Sequence, residues 1–65
     1  MITRWLCLRC GLIHKPDIRK CKCGNVQDNH SLVSPLKFDS EEHLERWVTM
    51  MRLYAGAKIR IARNE

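Results

Sequence analysis

The chain has 65 residues, with 12 Lys and Arg against 7 Asp and Glu, four Cys and a formal net charge of +5. A chain this short buries only about 60% of the surface its unfolded form exposes, and with two Trp, one Tyr and one Phe it leaves no room for a second domain and only a marginal apolar core. Some staple is therefore expected.

The N-terminal third is where that staple is sought. Residues 1–7 lack the apolar run and small-residue cleavage site of a secretion signal, and no stretch approaches the roughly 20 apolar residues of a membrane-spanning helix. The reading is a soluble cytoplasmic protein with reduced thiols. The first 23 residues hold all four cysteines, Cys7, Cys10, Cys21 and Cys23, spaced C-x2-C, ten residues, then C-x-C. A disulfide scaffold spreads its cysteines to tie distant segments together. Two close pairs joined by a short loop instead bring four thiolates around one tetrahedral Zn2+.

Each pair runs straight into glycine, as Cys10-Gly11 and Cys23-Gly24. A turn that wraps backbone N–H groups toward a thiolate needs a positive φ just after the second ligand, and glycine adopts it without steric cost. Residues 12–14 and 18–20 flank Lys15-Pro16-Asp17 and predict two extended arms of a hairpin that joins the pairs. The second pair is one residue short of the commoner spacing, so His14 and His30 stand as candidates to replace one cysteine. Four protein ligands close the coordination sphere, the mark of structural rather than catalytic zinc.

The segments Cys7-Leu8-Arg9-Cys10-Gly11 and Cys21-Lys22-Cys23-Gly24-Asn25-Val26 resemble zinc-ribbon proteins. More narrowly, they are similar to short, mostly uncharacterised bacteriophage proteins with a C-x2-C-G knuckle, a C-K-C-G segment and an aspartate-containing turn, here Asp28-Asn29-His30. The resemblance covers residues 5–30. It implies zinc and a phage origin, hence work in the host cytoplasm, and brings no known activity with it.

Beyond the cysteines, Val26, Leu32, Val33 and Leu36 predict short strands that complete a small antiparallel sheet, with Pro35 arguing against a long one. Asp39 or Ser40 then caps a helix, Asp39 with Glu42 forming a pair like a capping box. Leu44, Trp47, Val48, Met51, Tyr54 and Ala55 recur at three and four residues as one apolar face, and Gly56 stops the helix. Lys58-Ile59-Arg60-Ile61 alternates at period two, predicting a closing strand with both isoleucines inward. The fold expected is a small zinc-stabilised α+β domain over 1–65. It comprises a zinc-ribbon-like hairpin and short antiparallel sheet in 2–38, one amphipathic helix in 39–56 and a strand in 57–62.

Charge follows the same divisions. Residues 1–24 carry six cations against one carboxylate, 25–45 one against five, and 46–65 five against one. No nucleophile stands beside a histidine and a carboxylate in a known motif, and a closed zinc site activates no water, so catalysis is not expected. Two binding roles remain. A module that docks on a host protein would use charge complementarity, with Trp47, Met50, Met51 and Tyr54 as apolar anchors. A DNA- or RNA-binding ribbon would present Arg9, Lys15, Arg19, Lys20 and Lys22 to phosphates, with Trp5 stacked on a base.

Overall fold

The computed structural model describes residues 1–63. Their elements are β1 (Ile2–Cys7), β2 (Leu12–His14), β3 (Val33–Phe38), α1 (Glu41–Tyr54) and β4 (Arg60–Ile61). The strands form one sheet in the order β3-β1-β2-β4. β1 is apolar on both alternating faces, and each face is buried against something different. Trp5 and Cys7 cluster with Cys21, Leu12, Ile18 and Val33. Ile2 and Leu6 join Ile13, Phe38, Leu44 and Val48. The cysteine-bearing segment thus covers one side of the sheet and α1 the other, so that one strand serves two small cores.

Within residues 2–38 the sheet is antiparallel as expected, and the closing strand makes it mixed. β1 pairs antiparallel with both β2 and β3, but β4 lies parallel to β2, with Ile13 opposite Ile61. The reason is the helix. After β3, α1 returns the chain along the sheet, so the next strand enters in the same direction as the one before it. Ile59 and Ile61 do pack against the core as their alternation predicts.

Two expectations are corrected. Residues 12–14 and 18–20 do not pair as a hairpin, because β2 already has β1 on one side and accepts Arg60 and Ala62 N–H bonds on the other, through the carbonyls of Gly11 and Ile13. Lys20 instead bridges Val26. Pro35 sits inside a six-residue strand opposite Trp5. β3 is an edge strand, where a missing N–H costs no ladder bond.

The helix N-cap is Ser40, with extended backbone (φ −159°, ψ 169°) and an Oγ that accepts from His43 N at 3.2 Å. Asp39 lies outside the cap. Leu44 and Val48 are buried and Trp47 is half-buried against Phe38, with ring centroids 5.5 Å apart. Tyr54 is corrected out of the core, being 83% exposed. At about 100° per residue it points roughly 100° away from the direction that Leu44 and Val48 share. Gly56, at φ 64°, turns the chain toward β4.

Candidate metal centre

Two tight turns build the centre. The first joins β1 to β2, where Gly11 N donates to Cys7 O at 2.8 Å; in the second, Gly24 N donates to Cys21 O at 3.0 Å. Both glycines have positive φ, 80° and 97°. Gly11 is doubly required, since a Cβ there would run into the Lys58 carbonyl beside it. The first turn is held at the end of the sheet, and the second is closed by Cys21 N donating to Asn25 O at 2.8 Å.

The turns bring Cys7, Cys10, Cys21 and Cys23 together with all four Sγ atoms within 4.8 Å of one another. Cys7 and Cys23 are 3.5 Å apart, Cys10 and Cys21 3.1 Å. Four sulfurs at about 2.3 Å from a tetrahedral Zn2+ would be spaced by about 3.8 Å, so the donor set fits one such ion. All four cysteines are free of disulfides. Cys7 and Cys21 are buried while Cys10 and Cys23 are exposed, so the cluster lies at the surface with its inner half in the Trp5 core. Neither His14 nor His30 belongs to it. His14 is buried with its ring centroid 4.6 Å from that of Trp5, and His30 is exposed.

The thiols differ in acidity for physical reasons. Burial pushes Cys7 up, but donation from the Asn25 amide and from the N–H groups of Cys10 and Arg9 outweighs it and brings the pKa down to about 6. Burial raises Cys10, partly offset by the Cys21 thiol and the Leu12 N–H. Burial pushes Cys21 up to about 12, with the neighbouring thiols adding to it against the Cys23 N–H. Four sulfurs this close resist ionising together, and a divalent cation removes that conflict by binding them as thiolates.

Asn25 is a functional residue with no sequence signal beyond its place after Gly24. It is buried, its Nδ2 donates to Cys7 Sγ at 3.3 Å and to Leu32 O at 2.9 Å, and its Oδ1 accepts from Val26 N at 3.1 Å. It ties the second turn to the first.

The residues predicted for partner contact are dispersed. Trp5 is 2% exposed, and its Nε1 donates to the carbonyls of Ile18 at 2.8 Å and Lys15 at 3.1 Å. The indole therefore pins the 15–18 turn onto the sheet and is not offered to a base. Arg9, Lys15, Arg19, Lys20 and Lys22 are all exposed, but they do not form one patch. Lys20 and Lys22 line a groove with Arg60 and Arg63, Arg19 a different one with Arg4 and Lys37, and Arg9 borders a third depression with Lys58 beside the first turn. The acidic segment is largely taken up by ion pairs, Glu41 with Arg4, Glu42 with Arg46 at 3.1 Å and Glu45 with Arg63 at 2.6 Å.

Fold and site together define a small α+β protein with a four-cysteine centre able to hold a metal ion. Comparison with family models, curated proteins and solved structures returned no match. No helix among the described residues is long and apolar enough to cross a membrane.

Proposed function

We propose that the chain is a non-catalytic, zinc-ribbon-like module that holds one structural Zn2+ through Cys7, Cys10, Cys21 and Cys23 and docks on a protein partner. Bound there, zinc would supply folding energy rather than chemistry, because four sulfur donors leave no coordination position for water. The observation that carries the docking role is the outer face of α1. Met50, Leu53 and Tyr54 are 51%, 72% and 83% exposed, and their spacing of three and four residues puts them on one stripe beside half-buried Trp47. Large apolar side chains concentrated on one helix face fit an apolar groove of another protein. If the phage resemblance holds, that partner is a host protein and the module a cytoplasmic regulator.

The test is retention of partner from nuclease-treated host extract on immobilised, metal-loaded protein. Wild type should retain a defined protein that the Met50→Asp/Leu53→Asp variant loses while keeping its metal. Equal retention by both, or no retention by wild type, overturns the docking role.

A further inference from the structure

One exposed surface takes no part in the helix stripe, and no single segment of the chain contains it. The groove where β4 and β2 meet the second cysteine segment is lined by Lys20 and Lys22 from that segment, by Arg60 of β4 and by Arg63 just after it, with Leu12 and His14 of β2 also in its lining. Arg60 also borders the adjoining depression with Arg52 and Lys58, and a third shallow site shares Arg52, Arg60 and Arg63. Lys20 and Lys22 thus meet cations from the C-terminal part of the chain, and the three depressions adjoin through Arg60, which lines each of them. Glu45 is the sole carboxylate among the described residues lining these three sites, and Arg63 already holds it at 2.6 Å. No carboxylate among the described residues pairs with Lys20, Lys22, Arg52, Lys58 or Arg60.

We propose that this β4 edge binds the phosphate backbone of double-stranded nucleic acid without reading its bases.

The charge argument is direct. Five exposed cations with no carboxylate partner among the described residues hold a concentrated positive field, and a duplex offers a matching line of phosphates whose condensed counterions are released on contact. The acidic helix start does not oppose this. Its glutamates are engaged by Arg4, Arg46 and Arg63.

A duplex rather than a single strand follows from what the edge lacks. Single-strand binders stack successive bases on aromatic rings, and no Trp, Tyr or Phe lines any of the three sites. Trp5 is buried on the far side of β2 and Tyr54 belongs to the helix stripe. Contact with phosphates alone positions a protein on a duplex and carries no sequence information. The edge is separate from the Met50, Leu53 and Tyr54 face, so the molecule can hold a protein partner and a duplex at once.

The experiment measures binding of metal-loaded protein to a fluorescent duplex of about 20 base pairs, as DNA and as RNA, over a range of salt. Two double variants remove the same charge from different places: Lys20→Ala/Lys22→Ala on the edge, and Arg19→Ala/Lys37→Ala on the groove bordered by Arg4. The edge pair should lower duplex affinity about tenfold or more at low salt and make the slope of log K against log salt shallower by about 0.9 per lost contact. Arg60→Ala should weaken it in the same way. The Arg19/Lys37 pair should stay close to wild type, and Lys20→Arg/Lys22→Arg should retain binding with the metal site intact. Unchanged binding by Met50→Asp/Leu53→Asp separates this surface from the helix face. Equal losses from the two alanine pairs would mean a net-charge effect and overturn the proposal. So would tighter binding of single strands, competition by polyglutamate as strong as by duplex, or no duplex binding at low salt.

Discussion

The side-chain amide of Asn25 and the thiol of Cys7 meet at 3.3 Å across the two turns of the cysteine centre. The amide is buried and also bonds Leu32 O and Val26 N, so it fixes the inner sulfur and the second turn in one stroke. Asn25→Ala should weaken metal affinity by about 10–100-fold, the usual effect of losing a hydrogen bond to a ligand. Asn25→Asp should be worse, because a carboxylate replaces the donor beside a thiolate while still able to accept from Val26. Competition with a chromophoric chelator reads both. Equal affinity of the aspartate variant and wild type would show that the amide does nothing for the sulfur.

Purified protein should contain one zinc per chain and lose its fold on chelation, since structural zinc contributes roughly 10–16 kcal/mol of apparent binding energy in small domains. The pH dependence has a definite sign. Cys21, pushed up to about 12, and Cys10, also raised, must give up protons that Cys7, at about 6, has already lost near neutrality. Metal affinity should therefore rise as pH rises from 6 to 8, with proton release seen in weakly buffered titrations. A flat profile, or a native circular dichroism spectrum after complete metal removal, contradicts this.

Trp5→Phe keeps an aromatic ring in the core but removes the Nε1 donor, leaving the carbonyls of Lys15 and Ile18 without it. A cost of about 1–3 kcal/mol is expected for the lost buried bonding, measured by urea unfolding of the metal-loaded form. Duplex affinity of the folded variant should be unchanged. A selective loss of nucleic-acid binding at full stability would return Trp5 to the role of a base-stacking residue.

The two turn glycines should respond differently to alanine. Both have positive φ, so each substitution should cost at least about 1 kcal/mol. Gly24 has open space where a Cβ would stand, whereas Gly11 faces the Lys58 carbonyl. Gly11→Ala must also push back the chain entering β4. It should therefore destabilise more than Gly24→Ala and raise amide exchange at Ile59 and Ile61. Equal effects would place the whole cost in φ.

On the helix, Leu44→Ala should cost about 2–5 kcal/mol, Trp47→Ala less than the ~3–5 of a fully buried ring, and Tyr54→Ala almost nothing. Leu44 is fully buried and Tyr54 exposed. Thermal unfolding of the three variants gives the order. A large loss at Tyr54 would mean that it packs after all.

Short-range patterns could be read from the chain without its fold. The pairing of cysteines with following glycines acts within four residues, and it led directly to the four-sulfur cluster. Helix periodicity, with Ser40 before it and Gly56 after it, acts within a few turns and led to the span that α1 occupies. Tertiary structure decided the rest because those features depend on which surface each element must bury. β1 is apolar on both faces, so alternation alone could not say that Trp5 turns toward the cysteine segment and Leu6 toward the helix. The direction of β4 depends on the path of α1, and its pairing on β2 having a free side for it. Charge behaves in the same way. Along the sequence Lys20 and Lys22 belong with Arg19, and Arg60 lies far off; once β4 is laid beside β2, Arg60 joins the two lysines and Arg19 faces elsewhere. Electrostatic neighbours are set by distance through space, which the sequence alone does not specify for segments that meet only through packing.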